Sequence, residues 1–144
     1  MSTVYFMIGT PCSGKSTYID NILSDCEIIS TDDIIEQIAK ENNSTYSEMF
    51  EKFKNAVSEN KDIVIDRTNM TVKSRKRFLS NLTKNYTKYA ISFDVSKETI
   101  MERNDKRFKE TGKHIPENVI DSMIKSFQQP TKEEGFDYTI VIKE

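Results

Sequence analysis

Val4 to Thr17 read "VYFMIGTPCSGKST": an apolar run, Val4 to Ile8, that passes straight into "GTPCSGKST", Gly9 to Thr17. The chain has only four glycines, and two of them, Gly9 and Gly14, fall in this short segment. The spacing Gly9-x-x-x-x-Gly14-Lys15-Ser16 is that of a phosphate-binding loop. In such a loop backbone N–H groups cradle phosphates, a lysine (Lys15) reaches the β and γ oxygens, and a hydroxyl (Ser16) rests on Mg²⁺. The flanks agree with the motif. β-branched and aromatic residues lead in as a strand, and Tyr18, Ile19, Ile22 and Leu23 recur at helical spacing after it, so the loop opens onto a helix N-terminus. Lacking side chains, Gly9 and Gly14 let the backbone turn to positive φ and come close to an anion. An ordinary strand-to-helix turn needs none of this, and the loop reads as a nucleoside triphosphate site.

Outward from the loop, further apolar runs follow at intervals: "EIIS" (27–30), "DIVID" (62–66), "YAISFDV" (89–95) and "YTIVI" (138–142). With residues 4–8 they make five strands. Helical patterns lie between them, near 16–24, 33–41, 45–59, 71–84, 96–109 and 117–128, with "ENNSTYS" (41–47) as a loop between two helices. Strands alternating with helices predict an α/β fold, a five-stranded parallel sheet with helices on both faces in three layers. In such sheets ligands bind beyond the carboxyl ends of the strands, which directs attention to the polar residues there.

The second strand ends at "STDD", which puts Asp32 and Asp33 at that edge. Asp32 reads as a general base and Asp33 as a residue of the next helix's first turn, where Ser, Thr and Asp also serve as caps. The third strand ends at "VIDRTN". Asp66 there fits the second acidic element that supports Mg²⁺ in phosphoryl-transfer enzymes, with strand-end capping as the plainer reading. Late in the chain "ERNDKRFKETGKHIP" (102–116) gathers Arg103, Lys106, Arg107, Lys109 and Lys113. Such a run is usually a solvated face, but Arg103 and Arg107 share one helical face, and a phosphate site needs cations of this kind. His114 reads as a turn residue. "VKSRKR" (72–77) is a second basic patch, either a solvated helix face or a track for a polynucleotide backbone.

Bulk properties bound the rest. A chain of 144 residues fits one domain with a real core. Its first residues carry no basic, long apolar signal segment, and no run approaches the roughly 18 apolar residues of a membrane span. The expectation is a cytoplasmic chain without membrane contact. Two cysteines and one histidine, without ligand spacing, argue against a disulfide framework or zinc site. Cys12, inside the loop, either merely fits or is a thiol made reactive by the helix terminus. A net charge of −2 gives no global nucleic-acid signal, so any such contact must be local.

Taken together, "GTPCSGKST", Asp32 after the second strand, "IDRTN" (65–69), "RNDKRF" (103–108), "HIP" (114–116) and "FQQPTKEEGF" (127–136) resemble the kinase domain of polynucleotide 5′-hydroxyl kinases, the kinase half of polynucleotide kinase-phosphatase. The resemblance spans nearly the whole chain. It implies a phosphate-loop kinase fold over residues 1–144 with a short helical lid near 103–116. ATP would lie on Gly9, Pro11, Cys12, Ser13, Gly14, Lys15, Ser16 and Thr17 with Arg103 and Arg107, and Mg²⁺ on Ser16 and Asp66. Lys15, Asp32 (the base on the acceptor hydroxyl) and Arg107 would be catalytic. The acceptor, the 5′-OH end of DNA or RNA, would meet Asp32, Arg67, Thr68 and Asn69. "PTKEEGF" (130–136) would position the last strand and, by analogy, border the adenine.

The chain also departs from that family. Members often carry Asn-Arg before the catalytic aspartate, where this chain has Ser30 and Thr31, and phage members carry an arginine three residues after it, where this chain has Ile35. Arg67 occupies a position usually held by a smaller polar residue and is placed to replace the missing cation. The Asp-x-Asp-Gly-Thr motif of the phosphatase half does not occur in these residues. Two other acceptors remain open, a modified base hydroxyl in DNA and a free nucleoside. A non-catalytic nucleotide-binding module is disfavoured by the presence of Asp32, Asp66 and Arg107.

Overall fold

β-Strand segments rich in Val, Ile and Phe, above all those at 4–8 and 63–65, are almost wholly buried and form the centre of the molecule. The computed structural model describes residues 1–30 and 43–143. Along them run β1 (Ser2–Ile8), α1 (Lys15–Ile22), β2 (Glu27–Ser30), α2 (Asn43–Ser58), β3 (Ile63–Asp66), α3 (Val72–Leu79), β4 (Tyr86–Asp94), α4 (Lys97–Thr111), α5 (Glu117–Ser126) and β5 (Tyr138–Lys143). The five strands make one sheet in the order β2-β3-β1-β4-β5, and every pairing is parallel. The central strand β1 is therefore where the order reverses, the place where a parallel sheet opens a crevice for a ligand.

Side-chain alternation along β1 divides the core. Val4, Phe6 and Ile8 face a large cluster with Phe53 of α2, Phe78 of α3, Ile100 of α4 and Ile120 of α5. Met7 faces the other way, onto Ile19 and Leu23 around α1. Helices thus cover both faces, and each fully buried Ile or Phe contributes about 1.5–3 kcal/mol of apolar burial.

Several boundaries differ from the sequence expectation. The helix expected over 71–84 stops at Leu79, because Ser80 Oγ and Asn81 Nδ2 both donate to Arg77 O, at 3.2 and 2.8 Å. The strand expected from 89 begins at Tyr86, whose hydroxyl donates to Lys61 O at 2.6 Å. The loop expected over 41–47 is helical from Asn43, since Ser and Asn start helices as readily as they make loops. The last helix ends at Ser126 rather than 128, where Gln128 N–H instead donates to Met70 O at 2.7 Å. The helix expected over 33–41 lies outside the described residues. Among the described residues no helix is long and apolar enough to cross a membrane.

Candidate active site

The loop after β1 closes on itself tightly. A Cβ on Gly9 would sit 2.7 Å from Ser13 Oγ and 3.2 Å from Phe93 Cβ, so only glycine lets the loop fold back. Cys12 (φ 67°) and Gly14 (φ 103°) are both left-handed, and Gly14 is the N-cap of α1. Successive amides in that conformation form a concave nest for an anion. Ser13 Oγ, 1% exposed and without a hydrogen-bond partner, is turned toward Gly9. A buried hydroxyl left unpaired is unfavourable by about 1–3 kcal/mol. The donor set fits a triphosphate.

Lys15 is buried, and its Nζ donates to Gly9 O (2.9 Å) and Arg67 O (3.4 Å), spanning the ends of β1 and β3. Strand register aligns those ends: Asp66 is level with Met7 of β1 and with Ser30 of β2. Asp66 is half-buried there, beside the loop, while Ser16 and Thr17 are exposed at the start of α1. Asp66 and Ser16 supply oxygen ligands of the kind Mg²⁺ takes. Among the described residues no cluster of three or more acidic, histidine or cysteine ligands occurs. Asp32, and with it Thr31, Asp33 and Ile35, lies outside the described residues.

α4 closes the site from the far side. Ser96 caps it, its Oγ accepting from Thr99 N–H at 3.2 Å. One helical turn apart on one face, Arg103 and Arg107 line with Cys12–Tyr18 a cavity of about 630 Å³, within the range of small-molecule sites. Arg103 Nη1 donates to Cys12 O at 3.0 Å, fastening the helix to the loop. The other end of the cavity is apolar, with Ile22, Phe93 and Ile142, and Tyr18 meeting Phe93 edge to face at 5.7 Å. That is a polar end for phosphates and an apolar end for a base. The expected lid near 103–116 is not a separate helix: it is the end of α4 and the turn to Pro116. Asn104, wholly buried, holds that turn, donating to Ile115 O (2.8 Å) and accepting from Ile115 N–H (3.2 Å).

The residues after β3 divide by role. Thr68 O accepts from Gly9 N–H at 3.0 Å. Asn69, left-handed at φ 50° and buried, gives its Nδ2 to Met7 O (2.8 Å) and Ile65 O (3.3 Å), tying β1 to β3. Its amide is thus committed inward, unlike the acceptor contact expected of it. Arg67 stays at the site edge, its guanidinium 5.4 Å from the Tyr46 ring and its Nη1 3.6 Å from Met49 Sδ. Arg77 approaches Tyr46 at 4.8 Å and Phe50 at 4.2 Å, so two arginines gather at one aromatic ring.

The 72–77 basic helix is not one solvated or nucleic-acid face. Arg75 is 0% exposed and pairs with Glu134 through Nε–Oε2 (2.6 Å) and Nη2–Oε1 (2.9 Å), while donating to Asn69 O (2.7 Å) and Gln128 O (3.0 Å). The same pair involves the 130–136 segment, which leads into β5. The segment does not line the triphosphate cavity: Glu134 anchors Arg75 and Phe136 fills the core. Sequence reading missed Asn104, Tyr46 and the burial of Arg75. The signal for Asn104 was its place four residues after Ile100 on α4's inward face.

Fold and site together define an α/β domain built around a phosphate-binding loop. The chain belongs to the AAA-domain family, which matches residues 4–130. It is 30% identical over 135 residues to the bifunctional polynucleotide phosphatase/kinase of Schizosaccharomyces pombe, a match covering 92% of this chain and 31% of that protein. The chain thus spans about a third of the curated relative's length. In fold it is similar to a chain of the Pnkp1/Rnl/Hen1 RNA repair complex (TM-score 0.69, 22% identity, 87% of this chain and 43% of that one). It is also similar to a gluconokinase from Sinorhizobium meliloti 1021 (TM-score 0.63, 12% identity, 98% and 82% covered).

Proposed function

We propose that this chain transfers the γ-phosphoryl group of ATP to the 5′-hydroxyl end of a polynucleotide, DNA or RNA. The observation that carries the reading is Arg67, whose carbonyl accepts from Lys15 Nζ at 3.4 Å and whose guanidinium, with that of Arg77, packs on Tyr46: cations and an aromatic ring on the segment that adjoins the phosphate-binding lysine suit a phosphodiester chain and its bases. The likeness to a polynucleotide phosphatase/kinase over 92% of this chain supports the same acceptor.

In this reading Lys15 exchanges its carbonyl partners, Gly9 O and Arg67 O, for β and γ oxygens, and the amides of Cys12 to Thr17 hold the rest of the triphosphate. Ser16 and Asp66 would hold Mg²⁺, which would supply positive charge to offset that of the phosphates. Asp32 takes the proton of the 5′-hydroxyl as the new O–P bond forms and the β–γ bridge breaks, leaving ADP. Arg107 stabilises charge on the transferring group. Arg103 fixes the loop through Cys12 O, and Thr68 and Asn69 act by positioning the ends of β1 and β3. Residues 1–144 work as one kinase unit, with the end of α4 and its turn as the lid. ATP as donor and the free thiols Cys12 and Cys26 suit a reducing, cytoplasmic setting.

The test is a labelled-ATP screen over 5′-OH DNA and RNA oligonucleotides, duplexes carrying hydroxymethylated bases, and free nucleosides. Label on oligonucleotide 5′ ends is the expected result. Label on nucleosides or base hydroxyls alone would sink the proposal.

A further inference from the structure

The two edges of the sheet are not alike. β2, at one edge, is four residues long, and Lys52 of α2 meets it, its Nζ donating to Ile28 O at 3.0 Å and lying 3.8 Å from Glu27 Oε1. A short strand with a lysine on it is a guarded edge. β5, at the other edge, is six residues long, "YTIVIK", with its one charge at the end. Among the described residues it makes no hydrogen bond beyond its pairing with β4. Such an edge offers a row of N–H and C=O groups to any strand that can lie beside it. Its side chains are bare as well, with Tyr138, Ile140 and Val141 52, 37 and 45% exposed.

Register fixes what each face of β5 carries. Tyr138 is level with Tyr89 and stacks on it at 4.8 Å, Ile140 is level with Ile91, and Ile142 with Phe93. These even-numbered residues share the face on which α1 lies, and Ile142 and Phe93 belong to the apolar end of the triphosphate cavity. Asp137, just before the strand, and Lys143, at its end, are both exposed. Being odd-numbered, they fall on the opposite face, one at each end of the apolar stretch.

We propose that two copies of this chain pair β5 to β5, antiparallel, and that the partner's Tyr138 thereby extends the apolar end of each triphosphate cavity. An antiparallel pair related by a two-fold axis keeps like faces together, so even residues oppose even and odd oppose odd. With Ile140 on the axis, Tyr138 stands opposite the partner's Ile142, Thr139 opposite the partner's Val141, and Asp137 opposite the partner's Lys143, at both ends. The strand is thus complementary to itself, an apolar centre closed at each end by opposite charges. Moving the axis by one residue sets Asp137 against Val141, or Lys143 against Thr139, and loses both charge pairs. Residues directly opposite bring their Cβ atoms to about 4.5–5.5 Å, which lays the partner's Tyr138 ring beside Ile142, where the cavity would take a base. That last step rests on reading the cavity as a nucleotide site; the pairing itself does not. One strand pair with its flanking side chains is at the small end of specific interfaces, about 1,200 Å² or below, so the dimer forms reversibly at micromolar protein.

Sedimentation velocity from below micromolar to hundreds of micromolar protein reads the assembly, and titration with a fluorescent, non-hydrolysable ATP analogue, without acceptor, reads the site. The wild-type chain should pass from monomer to dimer across that range. Its affinity for the analogue should rise with it by roughly 5- to 100-fold, the worth of one stacked base. Ile140→Lys sets two lysines face to face on the axis, and Lys143→Glu sets a glutamate against the partner's Asp137 at both ends. Each should weaken self-association roughly tenfold or more, while the melting midpoint of the dilute monomer stays near that of the wild type because both side chains are exposed. Tyr138→Ala should bind the analogue no more tightly as a dimer than as a monomer. A wild-type chain that stays monomeric throughout overturns the proposal, as does a dimer indifferent to both Ile140→Lys and Lys143→Glu. A dimer that those variants dissolve, but whose analogue affinity ignores protein concentration, overturns the role of the partner's Tyr138. Dimers that bind no analogue at any concentration sink the nucleotide reading of the cavity and leave the β5 pairing standing.

Discussion

Glu134→Gln removes one charge from a pair sealed in the interior, and the size of its effect follows from the contacts. Arg75 is 0% and Glu134 5% exposed, and the two join through contacts at 2.6 and 2.9 Å. The amide keeps the shape but leaves the guanidinium with only Asn69 O and Gln128 O as strong acceptors. Breaking a buried pair from one side destabilises by about 3–5 kcal/mol. For a chain of 144 residues each kcal/mol moves the melting midpoint by about 4 °C, so the expected drop is about 12–20 °C. Such a loss is large against a total stability of about 5–15 kcal/mol. Glu133→Gln is the control, since Glu133 is exposed and its neutralisation should stay within about 0.5 kcal/mol. The assay is urea and thermal unfolding followed by far-UV circular dichroism, at low and high salt, because an enclosed pair is screened far less than a surface one. A Glu134→Gln midpoint no lower than that of Glu133→Gln would refute the argument that this pair holds the loop after β3.

Gly9→Ala should weaken nucleotide binding and lower stability by about 1–3 kcal/mol, since its new Cβ meets Ser13 Oγ at 2.7 Å and Phe93 Cβ at 3.2 Å; isothermal titration with ATP reads the first and melting the second. Asp32→Asn should lower kcat roughly 10²–10⁴-fold with ATP affinity near normal, whereas Lys15→Ala should lose nucleotide binding; if Asp32→Asn abolished ATP binding in the absence of acceptor, the base would have to be sought at Asp33. Arg67→Ala should raise the oligonucleotide KM, leave the ATP KM, and flatten the salt dependence of acceptor binding by about one phosphate contact; an unchanged slope would pass the role to Arg77. Burial first, then the Asp62 and Asp25 carboxylates, push the Cys26 thiol above its ordinary 9.0. The folded chain therefore holds that proton more tightly, and the stability this adds is present below pH 9.0 and lost as pH rises through the raised value. Alkylation followed by peptide mass spectrometry should find Cys26 slower in the native than in the unfolded chain at pH 8, and an apparent pKa at or below 9.0 contradicts the account.

The fold was legible because its signals are local. Near-continuous apolar runs rich in Val and Ile between amphipathic stretches specify buried parallel strands and crossover helices whatever the details of packing. The same local view misjudged the ends. Nothing in "NLTKNY" (81–86) announces that Asn81 will take a helix carbonyl or that Tyr86 will reach Lys61, because both depend on partners brought near only by the fold. Asn43 to Ser47 has a composition common to loops and helix starts, and the choice between them is made by the core residues Met49, Phe50 and Phe53 that follow.

At the site, charge was easy to find and hard to assign. The phosphate loop is read from spacing because its chemistry is done by backbone and one lysine, and spacing fixes both. The arginines are different, since a guanidinium serves equally as a phosphate clamp, an interior tie or a solvated surface group, and only its surroundings decide. Arg103 faces the loop carbonyl of Cys12; Arg75, from an equally basic run, faces Glu134 across the interior; Arg77, two residues on, lies against Tyr46 and Phe50. What separates them is helical phase. Arg75 shares the inward face of α3 with Phe78, three residues ahead, while Lys73 and Lys76 point to solvent. An arginine in step with an apolar position and a glutamate in a distant Gly-containing turn is therefore a sequence pattern for a buried tie. It accounts for "PTKEEGF" more fully than an adenine contact does, because Glu134 is held by the pair and Gly135, at φ 132°, lets the chain turn so that Phe136 enters the core beside Phe6.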